Sequence, residues 1–472
     1  MDEVLERELK WDVDEHFALP RLDDIVAGAD VERSTVTLNS AYYDTADRDL
    51  QAHGVLLRRR DGDDDTGWQL KVPDAEGRVE VRTGLSDTPP PDLTDALTGM
   101  RLGKPLVNVA TIRTTRDRYR ITDPRRHRLC AELADDHVRA SIDDRLLAWR
   151  EIEVELGPAT RSMPRRLTER LTKAGATPSR YPSKLARVSR VKRPEPDSGS
   201  RAGRAIASYL TDQIDNMFDG DLGLRRGSDP IHDTRVAIRR LRSTLRVFGK
   251  LLDRPAIGPV DDDLKWFAGL LGEVRDCQVQ RRRFEAALAK WPSELVLGPV
   301  ANRIHTDLQT DQVQARSRVA NEMNSQRYLD LLATMQRWRT DPPMPAPPSF
   351  KALEKRARRA LRKADRRLAE GIEADDDALL HRARKAAKRA RYAADLLTPA
   401  DGRAKKTAKH YKQFQRVLGD HQDSVVASGT LLRLARTAGT TVGENGFTYG
   451  LLYAREQQKA EAARNRAREL VG

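Results

Sequence analysis

HDTRVAIRRLRSTLRVF, residues His232 to Phe248, decides the reading of this chain, because HRARKAAKRARYAADLL, beginning at His381, repeats its plan. At about 100° per residue, a helix gathers His232, Arg235, Arg239, Arg242 and Arg246 within an arc of about 80°. Ala237, Ile238, Leu241, Leu245 and Phe248 fall on the other side. The second copy sets His381, Arg384, Lys388 and Arg391 in the same register, over a matching apolar face of Ala386, Ala390, Ala394 and Leu397. A line of cations backed by a core face suits a polyanion, and its duplication predicts two similar halves.

Outward from these helices the duplication continues. KWFAGLLGEVRD (Lys265–Asp276) aligns with KQFQRVLGDHQD (Lys412–Asp423), sharing Lys, Phe, Leu-Gly and the final Asp. Helical periodicity predicts helices over 202–218, 230–252, 261–288, 300–338, 350–370, 376–397, 403–433 and 446–469, four to each half. The Pro-rich DPPMPAPPS parts the halves, about 204–340 and 350–472, and RPEPDSGSRAG marks a linker over 194–203. The formal net charge of +14 is uneven: residues 201–472 carry +17 and residues 1–200 carry −3. Cys130 and Cys277 make no metal or redox spacing, which suits a reducing cytosol. The N-terminus lacks an apolar signal core, and no apolar run reaches membrane-spanning length. A soluble cytoplasmic protein is expected.

Before about residue 193, period-two alternation takes over. VLERELK puts Glu6, Glu8 and Lys10 on one face, GVLLRRR aligns Arg58 with Arg60, and WQLKV aligns Gln69 with Lys71. RVEVR pairs Glu80 with Arg82, RDRYRI aligns Arg116, Arg118 and Arg120, and EIEVEL aligns Glu151, Glu153 and Glu155. Asp61-Gly62, Glu76-Gly77 and Pro89-Pro90-Pro91 separate the runs, with helices predicted near Asp14–Ala27 and Pro164–Ala174. One such strand alone reads more readily as the solvated face of an antiparallel sheet. Acids gathered on the first and last strands and bases on the middle ones point instead to a closed barrel with charges inward. Carboxylates in such an interior would hold hard divalent cations, Mg²⁺ or Mn²⁺, and the Arg/Lys ring would grip phosphate oxygens. His53 and His127 read as ordinary surface histidines, and Asp63-Asp64-Asp65 as a solvated hairpin turn.

Glu6-Arg7-Glu8-Leu9-Lys10 matches the ExExK signature of the CYTH, or triphosphate tunnel metalloenzyme, family. The resemblance continues through YYDT (Tyr42–Thr45), LLRRR, QLK, RVEVR, EIEVEL and PSK at Pro182–Lys184. It implies an eight-stranded antiparallel tunnel over residues 1–193 that hydrolyses or cyclises triphosphate-bearing substrates with a divalent metal. It makes Glu6, Glu8, Glu153 and Glu155 metal ligands with catalytic roles, Asp135 the completion of the acidic set, and leaves open which of Glu151, Glu153 and Glu155 bind metal. It assigns Lys10, Arg58, Arg60, Lys71, Arg116, Arg118 and Lys184 to the phosphates.

Residues 201–472 resemble the CHAD family, named for conserved histidines in an α-helical domain. This implies two pseudo-symmetric four-helix bundles around a basic groove for inorganic polyphosphate. His232, Arg235, Arg239, Arg242, Arg246, Lys265, His381, Arg384, Lys388, Arg391 and Lys412 map to that groove, the histidines contacting phosphate without acid–base chemistry.

The expectation is an α+β protein of two domains: a metal-dependent tripolyphosphatase joined to a polyphosphate-binding module, resident in the cytoplasm or at polyphosphate granules. Aromatics make up 5% of the chain, and Tyr392 is expected off the basic line, so neither stacking platforms nor a recognition helix points to nucleic acid. The alternatives are a non-catalytic protein targeted to polyphosphate granules and a nucleoside triphosphatase or cyclase. Oligomeric state stays open.

Overall fold

A computed structural model describes residues 2–22, 29–62, 66–74, 76–123, 128–142, 144–157, 163–189, 191, 199–399 and 401–470. Asp63–Asp65, His127 and residues 194–198 of the linker expected over 194–203 lie outside the described residues. The chain divides into two compact units, Met1–Pro194 and Glu195–Gly472.

The first unit runs β1 (Asp2–Glu6), β2 (Glu8–Val13), β3 (Asp30–Asp44), α1 (Asp49–Ala52), β4 (Leu56–Asp61), β5 (Gly67–Asp74), β6 (Gly77–Thr83), α2 (Pro91–Ala96), α3 (Thr98–Arg101), β7 (Val107–Asp123), β8 (Arg128–Ile142), β9 (Arg145–Leu156), α4 (Met163–Lys173), β10 (Thr177–Pro178) and α5 (Lys184–Val188). Its strands form one antiparallel sheet in the order β1-β6-β5-β4-β3-β7-β8-β9-β2-β10. This corrects the expected eight-stranded closed barrel: the hydrogen-bond ladders give an open ten-stranded sheet. The count rises because the first strand breaks at Arg7 and the two-residue β10 adds to β2. Before the break β1 pairs with β6, and after it β2 pairs with β9, so segments at opposite ends of the sheet order are joined through one residue. Gly62 permits the turn after β4: at φ 111° a Cβ there would lie 2.0 Å from the Thr37 carbonyl oxygen.

Alternation sorts the two faces as expected. Outward residues Trp11, Ile121, Leu133, Ile152 and Val154 form a core with Leu167 and Leu171 of α4, capped by Phe17 and Leu22. Each large side chain buried here contributes about 1.5–3 kcal/mol. On the inner side Tyr42, Leu56, Ile112, Val138 and Ala140 pack on Leu185 and Val188 of α5, which thereby closes one end of the concave face. Residues 14–22 contain no helix, and 23–28 lie outside the described residues, so the helix expected near Asp14–Ala27 is not found in its described part. His53 is buried, against its expected surface place.

The second unit is helical: α6 (Arg201–Arg225), α7 (Ile231–Phe248), α8 (Arg254–Leu288), α9 (Val300–Glu322), α10 (Gln326–Trp338), α11 (Phe350–Ala374), α12 (Asp377–Leu397), α13 (Arg403–Ala438) and α14 (Phe447–Glu469). The helix expected over 300–338 is two, because Ser325 caps a new start by accepting from the Tyr328 N–H. The first half therefore has five described helices rather than four. Nor do the halves pack as two separate bundles. One core joins Ala364 and Leu368 of α11, Ala383, Ala387 and Ala390 of α12, and Phe414 and Leu418 of α13. Another joins Phe284 and Leu288 of α8 and Ile304 and Leu308 of α9 to Leu431 and Leu434 of α13 and Leu452 of α14. The long helices span both kinds of contact, since 35 or 36 residues reach about 53 Å.

Candidate functional site

In the first unit the inward positions of β1–β9 converge with Lys184 on one cleft with room for a few water molecules, about 50 Å³. Antiparallel register sets Glu8 opposite Glu155 and Lys10 opposite Glu153 on the β2–β9 ladder, and Arg116 opposite Asp136 on β7–β8. Of the sequence-expected residues, Glu6, Glu8, Lys10, Arg58, Arg60, Lys71, Arg116, Arg118, Glu153, Glu155 and Lys184 line it. Arg78, Arg82, Glu132 and Tyr42 line it too. For Arg78 and Arg82 the signal was the alternation of RVEVR around Glu80.

Asp135 is not among them. It lies on the other face of β8, where the Arg150 guanidinium donates to both its oxygens at 2.8 and 2.7 Å. Its neighbour Asp136 points inward, fully buried, and takes two hydrogen bonds of 2.8 Å from Arg116. Strand parity thus replaces Asp135 by Asp136.

The charges fall into a neutralised part and an unneutralised part. Asp136, Glu151 and Glu153 bring ligand-type oxygens within 4.8 Å of one another. The Lys184 ammonium stands among them, 2.8 Å from Asp136 and Glu151 and 2.6 Å from Glu153. Lys10 and Arg116 add contacts to Glu153 at 2.6 and 2.7 Å. Burial works to raise the Glu153 carboxyl, yet Lys10, Lys184 and Arg116 outweigh it and hold it well below the usual range. Asp136 is depressed likewise, burial being overcome by Arg116 and Lys184. Glu151 is further tied by the Trp149 indole N–H at 2.5 Å, so a protein cation already serves this cluster.

The other carboxylates are less fully neutralised: Glu8 meets the Lys10 ammonium at 2.8 Å, but that cation is shared with Glu153. Burial pushes Glu6 up to about 7, against the pull of Lys71 at 2.5 Å and with Glu80 and Glu155 reinforcing it. Glu155 is raised by burial too, with Glu8 and Glu153 adding repulsion against Lys71 and Arg116, and among the described residues no cation pairs with it. Hard oxygens of Glu6, Glu8 and Glu155 in one under-neutralised wall fit a hard divalent cation. Across the cleft Arg60 has the opposite want. It is 7% exposed, touches only the Ser40 hydroxyl at 3.4 Å, and has no carboxylate partner among the described residues. Burial, then Arg58 and Arg116, lower it to about 10. Arg58 is anchored by donating to Gln69 at 2.6 Å beside Tyr42 and Glu80.

In the second unit, Arg239, Arg242, Arg246 and Lys265 meet His381, Arg384 and Lys388 around a groove of about 410 Å³, joined by Lys385 and Arg389. The duplication explains how the guanidiniums are set. Arg235 lies 3.5 Å from Asp276, and Arg384 lies 3.9 Å from Asp423, the final Asp of each repeated segment. The Leu-Gly of each repeat leaves space: a Cβ at Gly272 would come 3.2 Å from the Arg235 guanidinium, and one at Gly419 3.6 Å from that of Arg384. Arg239 and Arg384 each bury an Nε–H with no acceptor among the described residues. Lys388 stands between them: burial, then Arg384 and Arg239, push its ammonium down to about 7. Burial and Lys385 also lower His381, whose Nδ1 meets Gln422.

Four expected residues do not line this groove. His232 sits beside Arg275, which with burial lowers its pKa, and Arg235 is held by Asp276. Arg391 donates to Gln415 at 3.0 Å and approaches Asp395, and Lys412 is exposed. Arg242 and Arg246 line it while sharing Asp261, at 3.0 and 2.7 Å. Tyr392, expected off the line, lines the groove and is buried, with Arg240 and Arg391 over its ring.

Comparison with known proteins gives the family. The chain matches the CYTH domain over residues 5–188 and the CHAD domain over residues 208–432. Uncharacterised proteins from two Mycobacterium tuberculosis strains (CDC 1551 / Oshkosh and ATCC 25618 / H37Rv) are 33% identical to it over 492 aligned positions, covering 98% of this chain and 94% of theirs. Among solved structures, PptA from Streptomyces chartreusis has a TM-score of 0.50 at 22% identity, covering 57% of this chain and 99% of PptA, a likeness of fold. The CHAD domain from the plant Ricinus communis gives 0.46 at 24% identity, over 60% of this chain and 93% of that one. Among the described residues no helix is long and apolar enough to cross a membrane. One-third identity along nearly the whole length of both chains, with the two domain matches in this order, makes this protein a member of the CYTH–CHAD family.

Proposed function

We propose that the first unit is a divalent-metal-dependent hydrolase of inorganic tripolyphosphate and that the second binds inorganic polyphosphate in its basic groove. One observation carries the first half of this reading: among the described residues one cleft holds a buried guanidinium without a carboxylate partner, Arg60, and a half-buried carboxylate without a cation partner, Glu155. A metal–phosphate complex satisfies both at once. The oxygens that best fit Mg²⁺ or Mn²⁺ are those of Glu6, Glu8 and Glu155, since Lys184 already neutralises Asp136, Glu151 and Glu153. When bound there, the metal supplies charge neutralisation to the phosphate oxygens and polarises the phosphoanhydride.

The chain's own residues do the rest. Arg58, Arg60, Arg116 and Arg118 hold the non-bridging oxygens, fixing the triphosphate in line and countering the charge that develops as water adds to the terminal phosphorus. The bond to the bridging oxygen breaks, releasing orthophosphate and pyrophosphate. Apart from Tyr42, Leu56 and Ser183 the cleft's described lining is charged, which favours the inorganic substrate over a nucleoside triphosphate.

The groove reading rests on Arg239, Arg384 and Lys388, whose unaccepted donors and crowded charge a chain of phosphates would relieve. The experiment is phosphate release from tripolyphosphate, pyrophosphate, ATP and long-chain polyphosphate with Mg²⁺, Mn²⁺ or EDTA, wild type beside the Glu6→Gln/Glu8→Gln double variant. Metal-dependent turnover of tripolyphosphate that the double variant lacks is expected. Faster turnover of ATP would favour the nucleoside triphosphatase or cyclase alternative. No turnover of any substrate, with polyphosphate still bound, would leave a binding protein targeted to polyphosphate granules.

A further inference from the structure

We propose a second anion-binding stretch on α11 that continues the polyphosphate groove and takes the part of a long chain the groove cannot hold. The inference rests on the polyphosphate reading of that groove and names a site outside it. Arg246, Arg356, Arg359, Lys363 and Arg389 ring a separate depression of about 180 Å³ floored by Val247, Ala360 and Ala386. Arg246 and Arg389 line both this depression and the main groove, so the two cationic surfaces are continuous.

Among the described residues no carboxylate lines either surface, and Asp261, which holds Arg242 and Arg246, is outside both linings. The acids of α11 nearest the stripe are engaged elsewhere: Glu354 with Arg358 at 3.2 Å, Glu370 with Arg366 at 3.3 Å, and Asp365 with the Tyr411 hydroxyl at 2.6 Å. Arg356, Arg359, Lys363 and Arg389 have no hydrogen-bond or ion-pair partner among the described residues. Arg367, burial and Arg389 push the Lys363 ammonium down, the mark of cations crowded without an anion. Arg356, Arg359 and Lys363 share one helix stripe, spanning about 10 Å along the axis. The depression has no aromatic lining on which a base would stack, and its floor is small and aliphatic. A linear inorganic polyphosphate running out of the main groove is the occupant this surface fits, its charge met without any demand on shape.

The test uses the full chain carrying Arg356→Ser, Arg359→Ser and Lys363→Ser together. Affinity is measured for long-chain polyphosphate and for a chain too short to reach from Arg239 to Lys363. The triple variant is expected to lose about tenfold for the long chain and nothing for the short one. Its slope of log affinity against log salt should fall by about two, from three lost phosphate contacts. A control with Lys351→Ser, Arg358→Ser and Arg362→Ser removes equal charge from a different stripe of α11, about 110° round the helix, and is expected to stay within twofold of wild type. Unchanged long-chain affinity in the first variant, equal losses for both chain lengths, or an equal loss in the control would each overturn the proposal. Single-stranded RNA bound as tightly through the same three residues would overturn its assignment to polyphosphate. A wild type that retains neither chain length would instead sink the groove reading on which it rests.

Discussion

Replacing Lys388 by Met should stabilise the protein while weakening its hold on polyphosphate. The Lys388 ammonium is lowered from 10.5 to about 7 by burial and by Arg384 and Arg239. At about 1.4 kcal/mol per pKa unit, the whole shift corresponds to a ceiling of about 5 kcal/mol of unfavourable charge. Solvent reaches the groove and screens it, which reduces the expected gain to about 1–2 kcal/mol. For a unit of this size that is about 3–6 °C in melting temperature. The sign follows from linkage: a lysine depressed in the folded state binds fewer protons there than when unfolded, so its penalty is full below pH 7 and fades toward pH 10.5. Calorimetry of the full chain, following the transition that polyphosphate shifts, should give a gain for Lys388→Met at pH 6 that shrinks as pH rises and nearly vanishes only above about pH 10.5. Polyphosphate affinity at pH 6 should fall about tenfold, the worth of one charge-assisted contact. A gain that ignores pH, or a variant less stable than wild type at pH 6, would refute the reasoning.

Three further variants test the cleft of the first unit. Glu155→Gln should leave the melting temperature unchanged or raised, since the carboxylate has no cation partner among the described residues, while metal-dependent phosphate release falls at least about 100-fold. Arg60→Met should likewise cost no stability but raise KM for tripolyphosphate about tenfold to a hundredfold, the loss of a charge-assisted contact of about 1.5–3 kcal/mol, read by steady-state kinetics. Lys184→Ala should destabilise by about 3–5 kcal/mol, because Asp136, Glu151 and Glu153 lose their shared cation. Mn²⁺ should then raise the melting temperature of Lys184→Ala by more than that of wild type.

Much of this was legible in the chain, and the misses have physical causes. Period-two alternation placed Glu6, Glu8, Lys10, Arg58, Arg60 and Glu153 on one face because each strand has one wet and one packed side. It failed at Asp135-Asp136, where adjacent acids offer both parities and only pairing with β7 and β9 decides which points inward. The inner face of β8 also turns apolar at Val138 and Ala140 to receive α5, so its hydrophobic pattern gave no polar stripe to follow. A helical wheel found the Arg239 line, but it could not see Asp261 arriving from α8 to hold Arg242 and Arg246. The break at Arg7 changes the strand count without altering the inward residues, since parity continues through it from Glu6 to Glu8.

The shared core of α8, α9, α13 and α14 has a consequence for how this duplicated unit is inherited. Phe284, Leu288, Ile304 and Leu308 of one repeat are covered by Leu431, Leu434 and Leu452 of the other. Either repeat made alone would present these side chains to water and would seek a second copy to cover them. The arrangement is that of two repeats that share one core, with the Pro-rich segment after Trp338 as the tether between them. Cutting that tether should yield two fragments that recombine, rather than two independent proteins. Selection on either repeat therefore acts on both.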